Sequence, residues 1–235
     1  MFKKNKKAVD TLRKVCDFYR AHSQQQQRSN MRTKALLLAA AVAAGGLATA
    51  AAQTVYSINT VGYVNMTIPV GFSMIANPLN TTNNTIASLI PNPPEDTAIF
   101  KWTGTTFVGA TFSFGEWDNP NLTLNPGEGC FIKALTAFTN TFVGEVMQGS
   151  LTNAIPVGFS MKASMVPQEG TAPQLGFTPP EDTIVYKYNN AQSRFEGFSY
   201  SFGEWDVVPS FKVGEAFWVS APTPGQWVRN FTVNQ

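Results

Sequence analysis

The chain has 235 residues, enough for one merged core or two small ones, and hydrophobic residues make up 43% of it. Its formal net charge is +2, but ten of the seventeen Lys and Arg residues lie within residues 1–52. Residues 53–235 have seven basic and thirteen acidic side chains, a net charge of −6. This balance argues against a nucleic-acid partner, because affinity for phosphate backbones depends on clustered Lys and Arg.

Residues 31–52 have the three parts of a secretory signal peptide. The basic segment Met31-Arg32-Thr33-Lys34 precedes an apolar run over 35–47, and the small residues Ala48-Thr49-Ala50 follow it. An uncleaved anchor is the alternative, but the run is short and alanine-rich for a span of about 20 residues. We therefore expect a secreted, periplasmic or cell-surface protein, which contacts the membrane only through this segment if it stays uncleaved. Residues 1–30 are expected to be a non-native or extended leader.

Loss of residues 1–52 would leave one cysteine, Cys130, and no histidine, because Cys16 and His22 lie in the leader. An intrachain disulfide, a Ser-His-Asp or Cys-His catalytic group and an ordinary zinc site are then excluded. Cys130 stands where the second half has Phe217, so we predict that it is a small core side chain. The sequence thus predicts no catalytic residue, no metal site and no cofactor.

The sequence after the leader repeats the same segments in the same order. The hexapeptide Ser113-Phe114-Gly115-Glu116-Trp117-Asp118 recurs unchanged at 201–206, the segment 68–74 recurs at 155–161, and 93–97 recurs at 179–183. No Ser/Gly-rich linker separates the copies. We interpret the chain as two tandem modules, residues 53–147 and 148–235, rather than an open solenoid.

Short alternating runs rich in Phe, Val and Thr lie between Gly and Pro turn signals and predict an all-β fold. We expect two sandwich-like or barrel-like modules with at most one short helix each. Ile86-Ala87-Ser88-Leu89-Ile90, which Pro91 follows, is the candidate helix of the first module. In the strand predicted at 98–102, alternation puts Phe100 and Trp102 on one face. Tyr186 and Tyr188 share a face in the matching strand.

The hexapeptide conflicts with simple alternation, since an unbroken strand would align Glu116 and Asp118 with Phe112 and Phe114. We predict a one-residue bulge at Gly115 that turns Trp117 inward to join the two phenylalanines. In this structural interpretation the hexapeptide tryptophans are core anchors. The acids then cap turns or pair with Lys101 and Lys187.

In the functional interpretation the strand has no bulge, and each tryptophan is exposed between two carboxylates. The exposed ring is then a platform on which a sugar can stack. Its candidate ligand-binding residues are Trp117, Glu116, Asp118, Trp205, Glu204 and Asp206. A calcium loop using Glu116, Asp118, Asn119 and Asn121 is a third interpretation, but Val207 and Val208 replace the asparagines in the second copy. A glycosidase could use the paired acids, but the sequence has no substrate-positioning group beside them.

Three segments resemble a β module of exported bacterial proteins. They are 71–79, with Gly71-Phe72-Ser73-Met74-Ile75-Ala76-Asn77-Pro78, then Phe100-Lys101-Trp102, and 124–132, with Pro126-Gly127-Glu128-Gly129-Cys130-Phe131. The resemblance covers about 55–235, implies export and a β fold, and carries no activity. The second half departs from the pattern at 164–167 and at Ala216.

We therefore expect an exported, non-enzymatic β-repeat protein with a structural or binding role at the cell surface or outside the cell. Its expected partner is a glycan or an envelope component. The alternative is a carbohydrate-binding module with an aromatic platform.

Overall fold

A computed structural model of the chain describes residues 60–233, which form one compact unit. The predicted leader, the predicted signal peptide and the beginning of the first predicted module, 53–59, lie outside the described residues, as do 234–235. Within 60–233, no helix is long and apolar enough to span a membrane.

The first half of the described chain contains seven strands and one helical turn. They are β1 (Val61–Ile68), β2 (Gly71–Ala76), α1 (Ile86–Leu89), β3 (Ala98–Trp102), β4 (Phe107–Ser113), β5 (Glu116–Trp117), β6 (Gly129–Ala134) and β7 (Phe138–Glu145). The second half contains β8 (Gly149–Ile155), β9 (Gly158–Ala163), β10 (Gly170–Thr171), β11 (Thr183–Asn189), β12 (Arg194–Ser201), β13 (Glu204–Trp205), β14 (Ser210–Phe211), β15 (Ala216–Ala221) and β16 (Gly225–Phe231). The prediction of an all-β fold is confirmed, and α1 is the helix expected before Pro91.

Each half has one five-stranded antiparallel sheet and one two-stranded ribbon. The first sheet has the order β2-β6-β3-β4-β5, and the second has the corresponding order β9-β15-β11-β12-β13. The ribbons pair β1 with β7 and β8 with β16. The short pair β10–β14 completes the second half.

The inner face of each sheet packs into its own hydrophobic core. In the first half, Ile99 and Ile132 are fully buried in one cluster with Phe142 of the ribbon. In the second half, Val185 and Val219 are buried with Trp227. Cys130 is also fully buried, and this burial raises the pKa of its thiol to about 12. Cys130 is therefore a core side chain, as predicted from its match with Phe217.

A hairpin turn, and not the predicted bulge, reverses the alternation in the hexapeptide. Phe114 and Gly115 have φ angles of +55° and +81° and connect β4 to β5. Positive φ at both central residues of a two-residue loop is the type I′ geometry, which fits the twist of paired strands. Trp117 consequently lies opposite Phe112. Phe114, expected inside, is instead 96% exposed at the tip.

The two halves meet through equivalent contacts. The amide of Ala76 donates to the carbonyl of Gly214 over 2.8 Å, and the amide of the matching Ala163 donates to Gly127 over 3.1 Å. Such an exchange between equivalent surfaces is the arrangement of a two-fold interface. Gly127 has φ +90°, and a Cβ there would lie 2.7 Å from Nδ2 of Asn153. The junction therefore requires glycine at this position.

Candidate functional site

The outer faces of the two five-stranded sheets carry a continuous set of aromatic side chains, which we call the aromatic face. Its ten members are Phe72, Phe100, Trp102, Phe107, Phe131, Phe159, Tyr186, Tyr188, Phe195 and Trp218. Alternation places them there, because their strand neighbours, such as Ile99 and Ile132, point into the core. Both faces of these strands are therefore apolar.

Each half contributes the end of a hairpin to the other half's sheet. Trp102 lies opposite Phe107 at the end of β3–β4, and its ring centroid is 5.8 Å from that of Trp218. Tyr188 lies at the end of β11–β12, and its ring is 6.0 Å from that of Phe131. Both contacts are edge-to-face, the geometry that aromatic pairs prefer. The aromatic face is thus complete only when both halves are present.

Two grooves open on this face. Groove 1 has a volume of about 400 Å³ and is lined by Phe72, Phe100, Phe107, Phe131, Tyr188 and Phe195. Groove 2 has a volume of about 450 Å³ and is lined by Trp102, Phe107, Phe159, Tyr186, Phe195 and Trp218. Every side chain of groove 1 has its sequence match in groove 2, and Phe107 and Phe195 line both. The chain therefore presents the same kind of apolar groove twice.

The rings of the aromatic face remain open to solvent. Phe107 is 44% exposed, Phe159 53% and Phe195 46%. Extended exposed apolar patches on a folded chain mark contact surfaces for other molecules. The Nζ of Lys133 lies 5.9 Å from the ring centroid of Phe72, which places a cation at the border of groove 1. The grooves suit an apolar group or a flat ring.

The hexapeptide tryptophans serve the cores. Trp117 is buried, and its Nε1–H donates to the carbonyl of Ile90 over 2.8 Å. Trp205 is half-buried, with its ring centroid 6.0 Å from that of Phe177. The platform interpretation, which requires an exposed ring at Trp117, is wrong for that residue, because the hairpin turn directs it inward. An indole whose N–H and ring are both engaged has no free face for a sugar.

The hexapeptide acids lie at the rim of the hairpins. Asp118 Oδ1 accepts a hydrogen bond from the amide of Thr111 over 2.7 Å, and Asp206 Oδ1 accepts one from Ser199 over 2.8 Å. These aspartates bond the open ends of the hairpins, and the turns themselves are held by Glu95 and Glu181, so the predicted capping of turns by the hexapeptide acids is not found there. Glu116 and Glu204 are exposed beside them.

Lys101 and Lys187, which occupy matching positions in the two halves, pair with acids outside the hexapeptide. Lys101 Nζ lies 2.8 Å from Glu128, and Lys187 Nζ lies 3.1 Å from Glu215. The predicted pairing with the hexapeptide is therefore wrong. The reason is strand order: β4 separates β3 from β5 and β12 separates β11 from β13, whereas β6 and β15 pair directly with the lysine strands and bring Glu128 and Glu215 close.

The hairpin tips hold the most exposed aromatic side chains among the described residues. Phe114 is 96% exposed and Phe202 is 95% exposed, and both have φ +55°. A non-glycine residue at positive φ costs about 1–3 kcal/mol. Both oxygens of Glu95 hold the first turn, accepting from the amides of Phe114 (2.8 Å) and Gly115 (3.0 Å). In the second turn, Glu181 accepts from Gly203 over 3.0 Å.

A small cluster of titratable side chains lies beside the grooves. Within 60–233, no group of three or more His, Cys, Asp or Glu side chains could hold a metal ion. Burial lowers the pKa of Lys162, while the charge of Glu128 opposes that shift. Lys162, Lys101 and Glu128 line a pocket of about 160 Å³ next to groove 2. In this cluster Lys101 and Glu128 form an ion pair and Lys162 is a second amine beside it. These three side chains do not form a nucleophile paired with a base.

The aromatic face has a signal in the sequence. Antiparallel sheets commonly have one polar face, but here the outward Phe100 and Tyr186 directly follow the buried Ile99 and Val185 of the inner face. No protein-family model, curated protein or solved structure matches the chain. The site is therefore defined by its geometry.

Proposed function

We propose that the chain is an exported, non-enzymatic β-repeat protein that binds a partner through the aromatic face, outside the cell or at its surface. The observation that carries this proposal is the pair of matched grooves, each lined by six aromatic side chains and each open to solvent. The most exposed groove rings, Phe107, Phe159 and Phe195, lie outside the buried clusters of the described residues. A partner that covers them removes their apolar surface from water.

Export is supported by the basic, apolar and small-residue segments of 31–52 and by the acidic balance of the rest. The single remaining cysteine is buried, so the described part of the chain exposes no thiol. The tandem repeat is supported by the recurring segments and by the corresponding order of the two sheets.

Carbohydrate binding is the second candidate function. The aromatic face, and not the hexapeptide, is its binding site. Its specific support is the presence of Trp102, Trp218, Tyr186 and Tyr188, whose rings bring polar atoms to a surface otherwise made of carbon. Rings of this kind combine an apolar body with a polar tip, which suits ligands that have both characters.

The first experiment measures access to the grooves with an apolar fluorescent dye and the folded chain. Phe107 and Phe195 line both grooves, so the double variant Phe107→Ser/Phe195→Ser is expected to lose most of the dye fluorescence. The matched control is Phe114→Asn/Phe202→Asn, which also removes two exposed phenylalanines but leaves both grooves intact. Equal dye binding by the groove variant and the natural chain would contradict the proposal.

The second experiment measures co-sedimentation with insoluble cellulose, chitin and isolated cell-wall polysaccharide. If the aromatic face binds sugars, the natural chain and the Phe114→Asn/Phe202→Asn control sediment with at least one polymer, and the groove variant stays in solution. Retention of the groove variant on that polymer would show that the sugar binds elsewhere. Near-ultraviolet circular dichroism of each variant checks that the fold is retained.

A further inference from the structure

We infer that the hairpin tips of one chain insert into the aromatic grooves of a second copy. Phe114 and Phe202 are the inserting residues, and grooves 1 and 2 receive them. This inference rests on the proposed function, because it uses the same aromatic face, and it adds the identity of a partner.

Each hairpin tip holds a phenylalanine ring in solvent, where another molecule can contact it. Phe114 occupies a turn position that favours Asn, Asp or Gly, yet the Glu95 carboxylate holds the turn closed by two hydrogen bonds. The ring is 96% exposed and so makes almost no contact within its own chain. Phe202 is 95% exposed at the second tip, where Glu181 holds the turn by one hydrogen bond to Gly203. An exposed apolar ring fixed in an unfavourable backbone geometry indicates a contact with a partner.

A tip cannot fill a groove of its own molecule. Phe107 lies at one end of β4 and Phe114 just beyond the other end, which separates them by roughly 20 Å along the strand. Phe195 and Phe202 have the same separation along β12. Since Phe107 and Phe195 line both grooves, each tip lies a full strand length from the grooves. The contact must therefore be between chains.

The two kinds of surface occur in equal number. The chain has two matched tips, and it has two matched grooves of about 400 and 450 Å³. A phenylalanine ring in such a groove can form edge-to-face contacts with several of the lining rings at once.

The charges around the tips and grooves are complementary. Eight of the thirteen acidic side chains in residues 53–235 lie around the two tips: Glu95, Asp96, Glu116, Asp118, Glu181, Asp182, Glu204 and Asp206. Cations border groove 1 at Lys133, which lies over the ring of Phe72, and Arg194 precedes Phe195, while the one acid beside that ring, Glu196, accepts a hydrogen bond from Asn189 over 2.9 Å. An acidic collar favours a basic rim over an anionic lipid surface. A second copy is therefore the better occupant than a membrane.

Each chain carries both tips and grooves, so two copies that exchange them reciprocally form a closed two-fold dimer, whereas copies that exchange them in one direction form a ring or a filament. Either product makes the chain self-associate, and its mass distinguishes the two.

The test is sedimentation velocity of the full-length chain over a range of concentrations. The natural chain is expected to show a sedimentation coefficient that rises with concentration. Phe114→Asn/Phe202→Asn lacks the tips and Phe107→Ser/Phe195→Ser lacks the grooves, so each alone should stay monomeric. An equimolar mixture of the two variants should associate again, because one supplies tips and the other supplies grooves. Asparagine accepts positive φ, so the tip variant should keep its fold.

Three results would overturn the inference. One is concentration-dependent association that persists unchanged in the tip variant, and another is an equimolar mixture that stays monomeric. The third is a natural chain that stays monomeric but binds vesicles of phosphatidylglycerol through its tips, which would make the tips lipid anchors. A different result would contradict the proposed function. In that case the groove variant would bind the dye and the polysaccharide as the natural chain does, whatever the sedimentation experiment shows.

Discussion

The two faces of the same sheet differ in where their apolar side chains are buried. Ile99 and Ile132 on the inner face are fully buried in the first core, whereas Phe100 and Phe131, their chain neighbours, lie partly open on the aromatic face. Composition is apolar on both sides, so hydrophobicity alone does not identify the core. The inner faces form the two large cores, whereas the outer faces bury only a small cluster around Met74, Met161 and Ala216 and leave their remaining aromatic rings available for contacts. Four predictions test this division, in order of decreasing effect.

The sharpest comparison uses two phenylalanines of one strand. Phe112 on β4 points inward and is buried, and Phe107 on the same strand points outward and is 44% exposed. We expect Phe112→Ala to lower the free energy of unfolding by about 3–5 kcal/mol. Phe107→Ala should lower it by only about 1 kcal/mol. Urea unfolding followed by circular dichroism measures both, and equal losses would remove the distinction between the faces.

The next effect concerns the carboxylate that holds the exposed tip. Glu95→Gln keeps the size of the side chain but replaces a charged acceptor that binds two amides. We expect a loss of about 1 kcal/mol in the free energy of unfolding. Glu116→Gln is the matched control, since Glu116 is an exposed acid of the same hairpin that does not hold the turn. A loss as large in the control would show that charge, not turn closure, is responsible.

A substitution of Lys162 tests a position at which the two halves differ. The residue at the equivalent position of the first half is the buried Ile75. Lys162→Ile should stabilise the fold by about 1 kcal/mol near neutral pH, since it removes a partly buried ammonium. Burial lowers the folded-state pKa below the ordinary 10.5, so the unfolded chain binds more protons between those two values. The natural chain therefore gains stability as pH rises through this window.

The advantage of Lys162→Ile should accordingly be largest at neutral pH and shrink towards pH 10.5. Thermal unfolding at neutral pH and in carbonate buffer measures the difference. An advantage that grows with pH would reverse the expected sign.

The smallest effect is a gain at the tip. Phe114→Asn relieves a phenylalanine at φ +55° and should raise the free energy of unfolding by about 0.5–1 kcal/mol. Phe72→Asn, on the aromatic face with ordinary strand geometry, is the control and should not stabilise. A loss of stability in Phe114→Asn would mean that the exposed ring contributes to the fold after all.

Much of the fold was predictable because it depends on local patterns. Alternation and turn residues predicted the strands, α1 before Pro91 and the shared face of Phe100 and Trp102. The burial of Cys130 followed from its match with Phe217. These features need only the chain's own periodicity and the comparison of its two copies.

The remaining features depend on tertiary arrangement. Phenylalanine is an unusual residue for a type I′ turn, so Phe114-Gly115 did not stand out as one. The partner of Lys101 is Glu128, 27 positions later, and the strand order that brings them together is not visible in the sequence. The aromatic face joins strands from both halves, and only their packing brings Trp102 to Trp218.

Hydroxyl-radical footprinting with mass spectrometry, on the chain diluted until it is monomeric, tests the central claim most directly. The account predicts rapid oxidation of Phe107, Phe159 and Phe195 on the outer face, with Phe142, Phe177 and Phe217 of the cores protected. Protection of the outer phenylalanines to the same degree as the core ones would contradict it, since the aromatic face would then be one more interior.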